Sequence, residues 1–337
     1  MAGWSRAWLF LLCLAAGEAA APQEAHIKEM VAAVFSPLSA KGSAGDLAIV
    51  PRYADMLVSK NVTSVLVAGT TGESLSLNVQ ERKNLGDAWA ATAKTHGMKV
   101  YIHVGAESVV DTIALAQHAA LTAGVAGLVC QTPTFFKPSV ETLHDYLVEV
   151  GRKVPHLPLW YYHFPDKSGV LSGQAHLLLE MIHERKEIPN FAGIKFTDVN
   201  LMDFQLCQMV GGGAYNMLYG RDEQYLAAAA LGADAPISST VQFSPWLREV
   251  FRLTKLGKLW EAQGPQQAVA KLCSTFSAFE GSANVQKAVM QMVLPVGPSR
   301  LPYRDLSEGE ASTLERDLRA EKLLDPKFSA TYSAIAV

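Results

Sequence analysis

Between residues 31 and 238, short apolar runs alternate with helix-period segments, and this repetition limits the folds open to the chain. The runs fall at 31–35, 64–68, 100–104, 127–131, 159–162, 191–196, 215–219 and 235–238. Between them, apolar residues recur with helical spacing at 79–94, 109–122, 140–150, 174–184, 201–210 and 223–231. Eight strand candidates with helices between them predict an α/β fold of the (β/α)8 TIM-barrel kind. A doubly wound sheet is the rival, but no G-x-G-x-x-G follows the first run. From residue 244 onward the pattern is helical only. It predicts the eighth barrel helix and two or three more, so that a barrel over 27–256 carries C-terminal helices over 257–325.

The run Phe191-Ala192-Gly193-Ile194-Lys195-Phe196 ends in a lysine followed at once by Thr197 and Asp198. Strict alternation places Phe191, Gly193 and Lys195 on one face, and Ala192, Ile194 and Phe196 on the other. That sends an ammonium inward at a strand end, where desolvation disfavours the charged form. At the reference pKa of about 10.4, about one amine in 2,500 is neutral at pH 7. A lysine tuned by burial is neutral far more often and can attack a ketone to form a Schiff base. The bland alternative is a lysine that snorkels to water.

A barrel collects its active site at the C-terminal ends of its strands. After the second run comes Gly69-Thr70-Thr71-Gly72-Glu73, where hydroxyls and free N–H groups suit a carboxylate, although such a turn is often only a turn. After the fifth comes Tyr161-Tyr162-His163-Phe164-Pro165, with a phenol able to move a proton or simply to fill the core. After the seventh comes Gly220-Arg221-Asp222-Glu223, an acidic pair suited to hydroxyls or to helix capping. Ser238-Ser239-Thr240 follows the eighth. Their meeting on one face around Lys195 predicts a site.

At 337 residues, with 49% hydrophobic residues and a net charge of −3, the chain suits one large domain or two ordinary ones. The near-neutral balance argues against a nucleic-acid partner. At the N-terminus Arg6 precedes an apolar stretch over 7–16 and the small residues Ala19-Ala20-Ala21. This predicts a signal segment over 1–21, too short to span a bilayer, or else an uncleaved extension; no membrane partner is expected. Cleavage would remove Cys13 and leave Cys130, Cys207 and Cys273, an odd number in apolar or helical contexts. They read as buried free thiols, which fits a reducing compartment. Asn61-Val62-Thr63 is a glycosylation acceptor only on a secretory route. Cytoplasm and secretory pathway both stay open.

The motifs around Thr70, Tyr162, Lys195 and Asp222 resemble, in order and spacing, the pyruvate-dependent class I aldolases of the N-acetylneuraminate lyase and dihydrodipicolinate synthase superfamily. The resemblance runs from about residue 28 to 304. Gly72-Glu73-Ser74-Leu75-Ser76-Leu77, Ala116-Gln117-His118-Ala119-Ala120, Phe136-Lys137-Pro138 and Trp160-Tyr161-Tyr162-His163 are similar to the animal lyase branch. The resemblance implies a homotetramer of barrels acting on a sugar acid, with no metal and no cofactor beyond a covalent imine on Lys195. It implies that Tyr162 gives and takes the proton and that Thr70 and Thr71 hold the pyruvate carboxylate. It assigns Thr197, Gly220, Asp222, Glu223 and Ser239 to the sugar portion. The reaction implied is retro-aldol cleavage of N-acetylneuraminate to N-acetylmannosamine and pyruvate. The lack of a clear His/Cys metal cluster in the sequence agrees.

Several positions depart from the pattern. Ser238 stands where the family has glycine, which predicts crowding at the sugar end. Phe135-Phe136 stands where some members bring a tyrosine from a neighbouring subunit. Lys167 stands where the lyases carry an apolar residue and the synthases an arginine. It either pairs loosely with Asp166 or solvent, or reaches the site mouth and favours an acidic second substrate. Two other activities remain open: a pyruvate aldolase for a different 2-keto acid, and a sialic acid binder without turnover. The joint presence of Lys195 and Tyr162 weakens the second.

Overall fold

The computed structural model describes residues 25–39, 45–279 and 283–326; the signal segment expected over 1–21, with Cys13, lies outside them. Eight parallel strands follow one another round a closed barrel in sequence order. They are β1 (Val31–Ala33), β2 (Ser64–Val67), β3 (Lys99–His103), β4 (Val125–Gln131), β5 (Leu159–His163), β6 (Phe191–Phe196), β7 (Asn216–Tyr219) and β8 (Ala235–Ser238). Between them run α1 (Val50–Val58), α2 (Val79–His96), α3 (Val109–Leu121), α4 (Val140–Lys153), the single turn α5 (Pro165–Ser168), α6 (Ala175–Arg185), α7 (Leu201–Met209) and α8 (Tyr225–Ala230). α9 (Trp246–Lys255) completes the ring, and α10 (Gln263–Ser277), α11 (Ala283–Gln291) and α12 (Glu308–Ala320) follow.

Two elements differ from the sequence expectation. β1 is shorter than 31–35 because the Phe35 N–H donates to the Tyr53 hydroxyl at 3.2 Å, not to a neighbouring strand. Helix α1 has no counterpart among the helix-period segments, being short and opened by Pro51 in its first turn, a position where proline starts helices well.

The core has two shells. Val31, Leu66, Tyr101, Val129, Trp160, Tyr162, Leu218 and Ile237 fill the barrel, and a larger set packs between strands and helices. The Asn216 side chain closes the N-terminal end by pairing with the N–H and C=O of Ile27, at 3.0 and 3.2 Å. Its Oδ1 also accepts the Trp160 indole N–H at 3.0 Å.

β6 corrects the expected alternation. Leu159 pairs with Phe191, but Trp160 pairs with Gly193, so one extra residue is accommodated between them. Phe191 therefore packs in the outer shell with Leu159, while Ala192 packs in the inner one with Trp160. Beyond this bulge Gly193 and Lys195 stay in register with the inward Trp160 and Tyr162. Gly193 has φ +156°, and a Cβ there would collide with the Asn216 carbonyl. The lysine faces inward, as expected, but the bulge sets that facing and unbroken alternation does not.

The C-terminal helices reach the end of the barrel where the strands finish. From α10, Gln266 accepts the Leu226 N–H at 2.9 Å and donates to the Asp222 carbonyl at 3.0 Å. Cys130 and Cys207 are buried free thiols, and Cys273 is a partly exposed one. Burial pushes the Cys130 thiol up to about 12. Among the described residues no helix is long and apolar enough to cross a membrane.

Candidate active site

Parallel pairing sets Lys195 beside Tyr162 on β5 and Leu218 on β7. The Lys195 Nζ lies 3.7 Å from the centroid of the Tyr162 ring, a cation–π contact. Both residues are nearly sealed, at 4% and 2% exposure. The Tyr162 hydroxyl and Thr70 Oγ1 are hydrogen-bonded at 3.2 Å. Thr70 stands on the turn after β2, which is built from inside: Ala68 and Glu73 take φ near +54°, the Glu73 N–H donates to the Thr70 carbonyl at 3.0 Å, and the Ser74 N–H donates to Gly69 at 3.1 Å. Thr71 is partly exposed on the same turn.

Below this group lies His103, which the sequence reading did not single out. It is fully buried, with its ring at 6.0 Å from that of Tyr162. Its Nδ1 faces the Arg82 guanidinium at 3.1 Å, and arginine only donates, so Nδ1 accepts and Nε2 carries the proton. Burial, then Arg82, then Lys195 hold its pKa well below the usual imidazole value. His103 is therefore a neutral wall beside the lysine. Arg82 is buried too and bonds the carbonyls of Gly105 and His103 at 2.9 and 2.7 Å. The only sequence signal was a histidine at a strand end.

On the other side of Lys195, the Thr197 N–H donates to the His163 carbonyl at 2.8 Å. The Thr197 hydroxyl is buried and has no protein partner, which suits it to a ligand. Gly220 faces it. A Cβ at 220 would collide with that hydroxyl and come within 3.3 Å of the Lys195 Cε. Glycine here leaves room beside the amine.

A cavity of 340 Å³ adjoins these residues, within the usual size for a small-molecule site. Thr197, Gly220, Asp222, Glu223 and Ser239 all line it; Lys195, Tyr162, Thr70 and Thr71 do not. Cys273, Phe276 and Gln286 join from the C-terminal helices, a contribution no local motif announced.

Asp222 is buried, and burial pushes its carboxyl up to about 6, against the pull of three hydrogen bonds. Its Oδ2 accepts from the hydroxyls of Ser238 and Thr240 at 2.6 and 2.7 Å and from the Thr240 N–H at 3.1 Å. The crowding expected of Ser238 does not appear. Its side chain is outside the cavity lining and is turned onto Asp222.

Lys167 is exposed, lines the cavity mouth and, among the described residues, forms no ion pair. Asp166 pairs instead with Arg221, which also reaches Glu223 at 3.3 Å and ties the loops after β5 and β7 together. Of the alternatives open for Lys167, pairing with Asp166 is therefore not found, whereas contact with solvent is. Phe135 and Phe136 are 80% and 83% exposed and stack edge to face. Glu107 holds their loop, accepting the N–H groups of Thr134 and Phe135 at 3.0 Å. Away from the cavity, His163, Asp198 and Asp203 bring potential metal-ligating atoms within 4.8 Å of one another. Asp203 is already engaged there, accepting the N–H groups of Ala175 and His176 at 3.0 and 3.1 Å.

Residues 26–321 match the dihydrodipicolinate synthetase family. The chain belongs to that family. Among curated members it is 37% identical to N-acetylneuraminate lyase A of Xenopus laevis over 282 residues, covering 82% of this chain and 90% of that one. It is 33% identical to the Homo sapiens N-acetylneuraminate lyase over 303 residues, covering 87% and 92%. Among solved structures, Proteus mirabilis N-acetylneuraminate lyase superposes with a TM-score of 0.82 at 29% identity, covering 89% of this chain and all of that one. The barrel with its C-terminal helices is therefore the architecture of this dihydrodipicolinate synthetase family member and of its solved relatives alike.

Proposed function

We propose that this chain is an N-acetylneuraminate lyase, a carbon–carbon lyase working as a class I aldolase through an imine on Lys195. The observation that carries the reading is Lys195 packed on Tyr162, with Thr70 bonded to the Tyr162 hydroxyl. The relatives named above support the substrate. The Lys195 amine adds to the C2 ketone of the open-chain sugar acid. Tyr162 gives its proton to the departing hydroxyl, so water leaves and the iminium forms. The resulting phenolate takes the C4 hydroxyl proton. The C3–C4 bond breaks, its electrons pass into the iminium to give an enamine, and N-acetylmannosamine departs as an aldehyde. Tyr162 returns the proton to C3, and water releases pyruvate and the free amine. The iminium is the electron sink, so these steps call on no metal or organic cofactor.

In this reading Thr70 and Thr71 hold the pyruvate carboxylate. Thr197, Gly220, Asp222, Glu223 and Ser239 serve the sugar portion that fills the 340 Å³ cavity. The unpaired Lys167 ammonium at its mouth supports a side activity toward keto acids with a second anionic group. The exposed Phe135–Phe136 pair supports assembly into a homotetramer, because so much apolar ring surface favours burial against another copy. Pyruvate release from a panel of 2-keto acids tests the assignment. N-acetylneuraminate is expected to be the best substrate; cleavage of dicarboxylic keto acids alone would move the chain to another activity of the family, and no cleavage at all would leave a binder.

A further inference from the structure

We infer that Lys287, on the C-terminal helix α11, is a positioning residue for pyruvate binding, acting through Glu73 on the turn that carries Thr70 and Thr71. The inference rests on the proposed role of that turn. The Lys287 Nζ donates to Glu73 Oε1 at 2.6 Å, and both side chains are 1% exposed. The second carboxylate oxygen accepts the Arg300 N–H at 2.8 Å. Glu73 itself has a left-handed backbone, φ +54°, and its N–H holds the Thr70 carbonyl. On the barrel side, the Ser36 hydroxyl donates to the Gly72 carbonyl at 2.6 Å. The turn is thus gripped from the segment after β1 at one point and from the C-terminal region at another. Neighbouring Gln286 lines the cavity, so the same turn of α11 meets both the sugar space and the anchor of the carboxylate turn.

A buried carboxylate stripped of the ammonium bonded to it is strongly unfavourable, the nearby Arg300 guanidinium being bonded to Glu81, and moving it to water relieves the cost. Glu73 cannot make that move without carrying its backbone, and its N–H would then release Thr70. The Thr70 hydroxyl would leave the Tyr162 hydroxyl at the same time. Lys287 therefore governs how well the carboxylate of pyruvate is met, while leaving the Lys195 amine in place.

Borohydride trapping tests this. Each protein is incubated with rising pyruvate, reduced, and weighed intact, giving a half-saturating concentration and a maximal extent of adduct. For Lys287→Met the half-saturating concentration is expected to rise by on the order of 10²-fold, as for a misplacement of about 1 Å, with the maximal extent retained. Lys287→Arg, which keeps the cation, is expected to recover much of the loss. Arg248→Met, which breaks the ion pair to Asp325 at 2.9 Å, controls for general loosening and should match wild type. A half-saturating concentration unchanged in Lys287→Met overturns the inference. If that variant does not fold, Lys287→Gln, which keeps a donor for Glu73 but not the charge, takes its place: a raised half-saturating concentration supports the inference and wild-type trapping overturns it. Failure of the wild type to trap pyruvate would sink the Schiff-base reading itself, and the positioning role with it.

Discussion

Replacing Ser238 with alanine should move the pH dependence of sugar acid cleavage through Asp222. The Ser238 hydroxyl donates to Asp222 Oδ2 at 2.6 Å in a buried setting, and the carboxyl already lies near 6 because burial outweighs its hydrogen bonds. A hydrogen bond to a charged group contributes about 1.5–3 kcal/mol. At 1.36 kcal/mol per pKa unit, losing it moves the carboxyl by roughly one to two units. The direction is upward, because the lost donor favoured the ionised form. At pH 7 the ionised fraction then falls from about nine-tenths to one half or less. Ionised Asp222 accepts from sugar hydroxyls better than the acid does. The acid limb of kcat/KM for N-acetylneuraminate, followed by pyruvate release, should therefore shift from near pH 6 to between about 7 and 8. Trapping of pyruvate alone should keep its pH profile, because the proposed function puts Asp222 at the sugar end. An unmoved acid limb, or an equal shift in both profiles, would refute the reasoning. The same burial has a stability consequence. Between the ordinary value of 3.8 and 6 the folded protein holds a proton that the unfolded chain has released. This contribution is full below 3.8, is lost as pH rises through 6, and amounts to on the order of 3 kcal/mol.

Lys195→Arg keeps the charge but cannot form the imine, so turnover and borohydride trapping should fall by orders of magnitude with folding intact; more than a tenth of wild-type turnover would remove Lys195 from the mechanism. Tyr162→Phe should slow cleavage by roughly 10²- to 10⁴-fold in steady-state assays, while some imine formation with pyruvate survives. Lys167→Leu should leave N-acetylneuraminate cleavage equal or better and weaken any activity on keto acids with a second carboxylate; abolished lyase activity would contradict the assignment. Expression in animal cells, with medium and cytosol blotted separately, decides the compartment. Active full-length protein in the cytosol without a glycan at Asn61 agrees with the free thiols Cys130, Cys207 and Cys273, whereas a glycosylated, shortened protein in the medium agrees with the N-terminal segment.

The repeating pattern of apolar runs was enough to specify a barrel, because each β–α unit must bury a strand against its own helix and its two neighbours. Barrel closure in turn placed Thr70, Tyr162, Lys195, Asp222 and Ser239 at one end, since each follows or ends a strand. Those are local facts: a residue's distance from a strand end is written in the chain. The facing of β6 was not, because the bulge at Ala192 arises from pairing with β5 and from Gly193 passing under the Asn216 carbonyl. Nor was the orientation of Ser238, which a local reading sends into the sugar space and the fold turns onto Asp222. His103 has its tautomer fixed by Arg82, 21 residues away on α2, and Glu73 found Lys287 214 residues further on. Periodicity and motif spacing determine which elements form and which end of the barrel carries chemistry. Hydrogen-bond partners, ionisation and cavity walls depend on groups brought together by packing, and only the closed tertiary structure decided those.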